Sequence, residues 1–409
     1  MPAPAEGAPT GPGRSTRRQF LLGGAVAGIG AAAAIGVDFA LNRPDTNEGT
    51  APSAPMNGDE KVPFFGPHQA GVDTAAQAHG VFVGLDLHEG VDAASLVRLM
   101  RILTDDAARL TQGTPALADS EPELALSPAR LTVTFGFGPG FVARAAVPGP
   151  GWLAPLPAFG IDRLQPEFSD GDLLLQVNGD DPLTVAHAMR MLLKDARGFA
   201  TIRWTQHGFR RAYGTERPGT TMRNLFGQVD GTTNPQPGTK DFDRVVWAED
   251  GWLAGGTGVV IRRIRMDLDK WDRLDRSGRD ASVGRSIANG APLTGTGEFD
   301  EPDFEAKTAI GFPVIPQFAH IRRARGDDGE RIFRRGYNYD ERPLGAEVSE
   351  SGLIFVSYQA DIERQFIPMQ RRLDELDLLN EWTVPIGSAV FAIPPGCAED
   401  GFIGDSLLT

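Results

Sequence analysis

Cysteine is almost absent from this chain of 409 residues, in which Cys397 is the only one. A single cysteine excludes intramolecular disulfides and zinc sites built from several thiolates. Histidine is also scarce, and the six are His68, His79, His88, His187, His207 and His320. Their spacing contains no His-Glu-x-x-His or other close ligand pattern, so a centre with several histidine ligands is not expected. A cofactor held by one axial ligand is compatible with this composition.

An excess of positive charge is missing as well. The formal net charge is −14 and the pI is about 5.0. A nucleic-acid-binding protein needs a clustered cationic surface, so nucleic acid is not an expected partner. The arginine runs at 322–325 and 334–335 are short, and they suit one small anionic ligand better than a polymer.

The apolar stretch near the N-terminus is short for a membrane span. Residues 21–37 include five glycines among seventeen residues, whereas a span needs ~20 apolar residues. The stretch follows Arg17-Arg18 and precedes small and polar residues, which is the layout of a twin-arginine export signal. We predict such a signal at 1–41, an exported protein, and a disordered linker at 42–62. No Ala-x-Ala cleavage site stands out, so an uncleaved anchor is the alternative.

The folded part is predicted to begin at residue 63. Hydrophobic residues make up 41% of the chain, and 50 glycines and 31 prolines indicate a globular protein with many turns. Apolar periodicity predicts strands at 80–87, 131–137, 172–177 and 201–205, and helices at 93–110 and after 182. The order β-α-β-β-α-β is that of a ferredoxin-like unit, which we place at 63–215.

Residues 216–409 read as a diverged repeat of that unit. Strands are predicted at 258–266, 332–338, 353–358 and 388–393, and helices at 270–276 and 362–376. The predicted class is α+β, with two ferredoxin-like halves whose antiparallel sheets enclose a ligand cavity and whose helices lie outside.

One loop that is rich in glycine and turn-forming residues carries a single carboxylate. Asp230 stands between Gly227 and Gly231, and an Asn-Pro pair closes the segment. Glycine permits a close backbone approach, and Asn-Pro favours a turn. The loop therefore aims Asp230 at a partner, or else Asp230 caps its own backbone in an Asx-turn.

Several motifs follow one another in a fixed order. They are the Gly227–Gly231 loop, Trp252, Gly255-Gly256-Thr257, Arg262-Arg263-Ile264, Gly284-Arg285, the segment 291–295, His320 and Arg334-Arg335-Gly336-Tyr337. This ordered set, spread over residues 63–405, resembles the DyP-type (dye-decolourising) haem peroxidases of the exported, deferrochelatase/peroxidase-like class.

The resemblance implies one haem b per chain. His320 would be the proximal axial ligand, and Asp230 and Arg334 would lie on the distal face. A peroxidase needs a base that moves the peroxide proton and a cation that stabilises charge as the O–O bond breaks, roles that fall to Asp230 and Arg334. Arg285 would pair with a haem propionate. The other implied haem contacts are Gly231, Thr232, Thr233, Arg325, Leu353 and Phe355.

The implied substrates are H2O2 and one-electron donors such as dyes and phenols, and a carboxylate base predicts an acidic optimum. A homo-oligomer is compatible with the resemblance, and the export machinery would be a partner.

The sequence does not identify the acceptor for the second nitrogen of His320. Candidate radical relays, chosen by residue type, are Tyr337, Tyr339, Tyr358, Trp271 and Trp382.

Gly336 departs from one subgroup of the family, which carries a distal asparagine there. The distal site is therefore expected to rely on Asp230 and Arg334 alone. Two other functions stay open from the sequence. One is a haem- or iron-handling protein of an uptake system, and the other is a ferredoxin-like binding module without haem.

Overall fold

The computed structural model describes residues 56–343, 345 and 348–409, which belong to one compact unit. The predicted export signal at 1–41 and residues 42–55 of the predicted linker lie outside the described residues. The last residues of that linker are hydrogen-bonded to the fold, because Gly58 and Glu60 accept the backbone N–H groups of Ala129 and Arg130. No helix in the described ranges is long and apolar enough to cross a membrane.

The N-terminal half forms an antiparallel sheet in the order β4-β1-β3-β2, which is the ferredoxin-like arrangement. Its elements are β1 (His79–Leu87), α1 (Ala93–Thr111), β2 (Thr132–Phe137), α2 (Pro139–Ala145), β3 (Leu173–Gly179), α3 (Pro182–Ala196) and β4 (Ala200–Phe209). Asp92 starts α1 by accepting the N–H of Ser95 at 2.8 Å, an N-cap that supplies an orphan donor with a partner. The apolar faces of α1 and α3 are buried against the sheet.

The C-terminal half repeats this arrangement in the order β9-β5-β8-β7, with β6 on the same edge of β8 as β7. Its strands are β5 (Thr257–Met266), β6 (Phe333–Arg334), β7 (Tyr337–Glu341), β8 (Glu350–Gln359) and β9 (Thr383–Ile393). Its helices are α4 (Lys240–Val246), α5 (Leu268–Trp271), α6 (Arg276–Val283), α7 (His320–Ala324), α8 (Ile367–Leu376) and α9 (Asp405–Leu408).

The two half-sheets join into a closed barrel. Each seam is made by one residue pair, Phe137 with Ala392 between β2 and β9, and Phe209 with Asn338 between β4 and β7. The interior is filled by a cluster of buried apolar side chains, many of them aromatic. The predicted α+β class with antiparallel sheets and outer helices is confirmed. The prediction that the sheets enclose a ligand cavity is wrong for the described residues, because these side chains fill the space between the sheets. The boundaries of the two halves, 63–215 and 216–409, stay a prediction, since both halves contribute to one barrel.

Two local predictions need correction. The predicted helix at 270–276 is wrong, because α5 ends at Trp271 and Asp275 caps a new helix by accepting the N–H of Gly278 at 2.7 Å. The strand predicted at 332–338 is interrupted after Arg334 although β6 and β7 keep one register against β8. At the interruption, the carbonyl of Gly336 accepts a hydrogen bond from Arg210 Nε at 2.8 Å.

Candidate active site

Asp230 lies in a tight loop whose flanking glycines have left-handed backbone. The φ angle is +80° at Gly227 and +126° at Gly231, a region that favours glycine. The N–H of Asp230 donates to the carbonyl of Met222 at 2.8 Å, so the loop folds back on the preceding chain. The side chain of Asn224, not that of Asp230, accepts two backbone N–H groups of this loop. The Asx-turn alternative for Asp230 is therefore wrong.

The carboxylate of Asp230 is directed at Arg334. Arg334 Nη1 donates to Asp230 Oδ1 at 2.7 Å. The side chain of Asp230 keeps 18% of its surface accessible and that of Arg334 keeps 26%. The pair therefore borders an accessible space rather than the packed core. A loop residue and a strand residue that are far apart in sequence thus form one charged pair.

His320 is the first residue of α7, and its Nδ1 bonds to Asp377 Oδ2 at 2.6 Å. Asp377 lies between the end of α8 and the short helix at 378–381, and its side chain is almost fully buried. The imidazole keeps 30% of its side-chain surface accessible. Its Nε2 has no hydrogen-bond partner within the described part of the chain. Since the carboxylate accepts from Nδ1–H, the Nε2 lone pair is free.

The charged groups around His320 lie close enough to shift its pKa. Burial alone lowers the pKa of His320, but the charge and hydrogen bond of Asp377 raise it, and the net direction is upward. Arg334 lowers this pKa further and Asp230 raises it. The charges of Arg334 and Asp230 are therefore near enough to act on the imidazole.

Arg285 follows the end of α6, where Gly284 adopts a φ of +86°. The guanidinium is buried, and its Nη1 donates to the carbonyls of Gly290 and Glu298 at 2.7 and 2.8 Å. Burial lowers the pKa of Arg285, whereas the charge of Glu298 raises it and that of Arg334 lowers it. The charge of Arg334, which pairs with Asp230, is therefore near enough to act on Arg285 too.

Leu353 and Phe355 lie on the outer face of β8, away from the barrel interior. Leu353 is buried in a cluster with Phe226 and Trp271, and half-buried Phe355 packs against this cluster too. The next residue, Val356, faces inward, as the two-residue period of a strand requires. The candidate site thus lies between the outer face of the C-terminal half-sheet and the helices.

The remaining predicted residues are Gly231, Thr232, Thr233 and Arg325. Gly231 shapes the loop, and the hydroxyl of Thr232 donates to Glu298 Oε1 at 3.1 Å. Thr233 is exposed. Arg325 is half exposed and forms an ion pair with Glu301, so the described contacts do not bring it to His320.

Three residues of the site were not found from the sequence. Asp377 orients His320, Asn234 binds the backbone of Arg334, and Glu298 accepts from Thr221 and Thr232. The Asn-Pro pair marked Asn234 as a turn residue but not as a partner of a distant strand. Asp377 and Glu298 carry no local signal beyond an acidic residue near a helix or loop end.

The donor set fits a haem with a single histidine ligand. A metal-ligating histidine normally donates its other N–H to a carboxylate or carbonyl, and His320 does so to Asp377. Haem also needs apolar walls and cations for its carboxylates, and Leu353, Phe355 and Arg285 offer these groups.

Two family models match most of the chain. The model of the Dyp-type peroxidase N-terminal domain matches residues 69–210, and that of the C-terminal domain matches residues 221–398. Among curated proteins, the dye-decolorizing peroxidase of Thermobifida fusca is 36% identical over 419 residues, covering 96% of this chain and 97% of that protein. A deferrochelatase of Yersinia pestis is 36% identical over 373 residues, covering 85% of each.

Solved structures that are similar to this chain are also DyP-type peroxidases. A DyP-type peroxidase from Cellulomonas bogoriensis is 53% identical, with a TM-score of 0.84, and covers 87% of this chain and 99% of that one. An oxyferrous complex of DtpA from Streptomyces lividans is 40% identical, with a TM-score of 0.83, and covers 87% of this chain and all of its own. With these matches and the site geometry together, the chain belongs to the DyP-type peroxidase family.

Proposed function

We propose that this protein is a haem b peroxidase, with one haem per chain, that reduces H2O2 and oxidises dyes, phenols or similar one-electron donors. The observation that supports this most directly is the pairing of His320 with Asp377, near enough to the Asp230–Arg334 pair for those charges to act on the imidazole. It combines a nitrogen free to bind iron with a base and a cation.

His320 would hold the haem iron through Nε2, and Arg285 would bind a propionate. Bound haem supplies the redox chemistry, accepting two oxidising equivalents from peroxide and releasing them to donors one electron at a time. Asp377 keeps the proton of His320 on Nδ1, which makes Nε2 the stronger donor. Additional contacts are assigned by the resemblance to Gly231, Thr232, Thr233, Arg325, Leu353 and Phe355.

Asp230 and Arg334 have different roles in the reaction with peroxide. The Asp230 carboxylate takes the proton from one peroxide oxygen and returns it to the other, which leaves as water. The Arg334 guanidinium stabilises the negative charge that develops on oxygen while the O–O bond breaks. Their contact of 2.7 Å places the proton acceptor and the cation within reach of one small molecule.

Bulky donors are proposed to react at the surface, through an aromatic relay. Trp271 and Trp382 are in edge contact, with ring centroids 5.2 Å apart, and Trp271 also stacks on Phe226 in the Asp230 loop. The three candidate tyrosines, Tyr337, Tyr339 and Tyr358, are buried in the barrel interior.

The test of the proposed function is a spectrum of the haem-loaded protein before and after H2O2. We expect a Soret band that shifts with peroxide, and we expect His320→Ala to lose that band's normal position and the turnover. His207→Ala, at an exposed position on β4, is the control. A His320→Ala protein that binds haem and turns over like the parent would contradict the assignment.

A second candidate function is iron handling, favoured by the relatives named deferrochelatase. Removal of iron from haem would leave protoporphyrin, which fluoresces whereas haem does not. Fluorescence measured during incubation without peroxide separates the two functions, since only iron removal generates that signal.

We also propose that the protein is exported by the twin-arginine machinery, on the evidence of residues 1–41 and Arg17-Arg18. Fractionation of cells that express the parent and an Arg17→Lys, Arg18→Lys variant tests this. The variant is expected to stay in the cytoplasm, and equal export of both proteins would refute the proposal.

A further inference from the structure

Asn234 binds both main-chain polar groups of Arg334, although 100 residues separate them. Asn234 Nδ2 donates to the Arg334 carbonyl at 2.7 Å, and the Arg334 N–H donates to Asn234 Oδ1 at 3.0 Å. A carboxamide offers the same donor and acceptor as a peptide unit. The side chain of Asn234 therefore takes the place of a neighbouring strand beside Arg334.

The strand that carries Arg334 needs such a partner. β6 has two residues, and it pairs with β8 on one edge, Phe333 with Tyr358 and Arg334 with Ser357. Within the residues that the structure describes, no strand pairs with its other edge. Asn234 satisfies the two backbone groups that face this edge and would otherwise need another partner.

Asn234 is also joined closely to Asp230. Its backbone N–H donates to the carbonyl of Gly231 at 2.9 Å, which closes a turn directly after Asp230. Pro235 follows, is buried, and has a φ angle restricted by its ring. The carboxamide of Asn234 and the carboxylate of Asp230 are thus two contacts from one short turn to Arg334, one to its backbone and one to its guanidinium.

The contacts of Asp230 and of Asn234 with Arg334 differ in how tightly they restrict the position of Arg334 relative to the Asp230 loop. The Asp230–Arg334 ion pair is partly accessible, and accessible ion pairs between flexible side chains contribute little to stability and are weakened by salt. The two hydrogen bonds from Asn234 are directional and act on the backbone, which has fewer degrees of freedom than the arginine side chain. They constrain the distance between the Asp230 loop and the start of the Arg334 side chain more tightly than the ion pair does.

We propose that Asn234 is a positioning residue for the peroxide-reactive pair, setting the separation of the Asp230 carboxylate and the Arg334 guanidinium. The inference rests on the proposed roles of Asp230 and Arg334 in peroxide cleavage. Displacement of a reacting group by about 1 Å costs about 100-fold in rate. Loss of both hydrogen bonds is therefore expected to slow the reaction with peroxide without removing either charged group.

The test compares Asn234→Ala, Asn234→Asp and Gln236→Ala. Asn234→Asp keeps the size of the side chain and an acceptor for the Arg334 N–H, but it replaces the donor to the Arg334 carbonyl with an oxygen. Gln236 is exposed, makes no side-chain hydrogen bond within the described residues, and lies two positions further along. We expect both Asn234 variants to react with H2O2 about 10- to 100-fold more slowly per bound haem, and Gln236→Ala to react like the parent.

Two readouts do not depend on turnover. Fluoride bound to ferric haem accepts a hydrogen bond from a distal donor, so its affinity reports on the position of Arg334 and is expected to fall about tenfold in both Asn234 variants. A crystal structure of Asn234→Asp is expected to show the Asp230–Arg334 contact lengthened or broken. A lower melting temperature with unchanged peroxide rate and fluoride affinity would show a merely structural role and overturn the proposal.

Parallel variants separate this inference from the proposed function. If Asp230→Asn and Arg334→Leu both leave the peroxide rate unchanged, the proposed roles of those residues fail, and the positioning role fails with them. If those two variants are slow while both Asn234 variants react like the parent, only the positioning role fails.

Discussion

Asp377 accepts a hydrogen bond from His320 Nδ1 at 2.6 Å, across 57 residues of the chain. The carboxylate is held in place because its other oxygen accepts the N–H of Leu379 at 3.0 Å. One buried side chain thus caps the short helix at 378–381 and orients the histidine. This relationship gives the imidazole one defined tautomer and leaves Nε2 as the nitrogen available to iron.

Asp377→Asn is expected to weaken His320 as an electron donor. The amide removes the negative charge but can still accept the N–H of Leu379, so the helix cap is kept. We expect the Fe(III)/Fe(II) reduction potential to rise and the peroxidase rate to fall about 10- to 100-fold. A spectroscopic redox titration measures the first and steady-state assays the second. Glu375→Gln, which removes an exposed charge paired with Arg323, should match the parent, and an unchanged potential in Asp377→Asn would contradict the argument.

Asp230→Asn is expected to slow the reaction with H2O2 by about 10²- to 10⁴-fold, because the amide cannot accept the peroxide proton. Stopped-flow mixing of the haem-loaded protein with H2O2 measures this rate. Asp243→Asn, at an exposed position on α4, is the matched control. A rate in Asp230→Asn equal to that of the parent would contradict the proposed role of Asp230.

We expect the free energy of unfolding of the N-terminal half to depend on pH through Asp195 on α3. Burial raises the pKa of Asp195 to about 7, and the hydrogen bond and charge of Asp106 on α1 raise it too, while Lys194 opposes them. In the unfolded chain this carboxyl ionises near its ordinary value of 3.8. The folded state therefore binds the extra proton between about pH 4 and 7, and stability falls as pH rises through that range.

Asp195→Asn removes this penalty, because the amide never ionises. The variant should be more stable than the parent above pH 7, by up to a few kcal/mol, and the difference should shrink towards pH 4. Denaturant unfolding at both pH values measures it. Asp105→Asn, which alters an exposed carboxylate on α1, should show no such gain. An equal stability difference at both pH values would exclude ionisation as its cause.

Gly284→Ala is expected to destabilise the protein by about 2–4 kcal/mol. An L-residue is strained at a φ of +86°, and an added Cβ would lie 2.8 Å from Ile321 Cγ1 and 3.0 Å from Ile315 Cγ2. Gly311→Ala separates the two causes, because Gly311 has a φ of +90° with open space around it, so its cost should be about 1 kcal/mol. Thermal or denaturant unfolding of both variants measures the costs, and equal losses would exclude the contacts with the isoleucines.

The elements of the barrel could be predicted because their signals are local. Apolar periodicity placed most strands and the long helices α1 and α3. The prediction failed at 270–276, which contains the end of α5, a short turn and the first residue of α6, with Asp275 as the cap of the second helix. Local patterns cannot distinguish one helix from two when the intervening turn is only a few residues long.

By itself, the sequence determined the class of the fold, the expectation of a haem, and the choice of His320, Asp230, Arg285 and Arg334 as site residues. These could be predicted because ordered motifs and apolar periodicity can be read directly from the order of residues along the chain. Only the tertiary structure decided that Asp377 orients His320 and that Asn234 clamps Arg334. Those contacts join residues 57 and 100 positions apart. Their side chains become partners only when strands and helices pack, since the energy of a hydrogen bond depends on distance and angle and leaves no periodic mark along the chain.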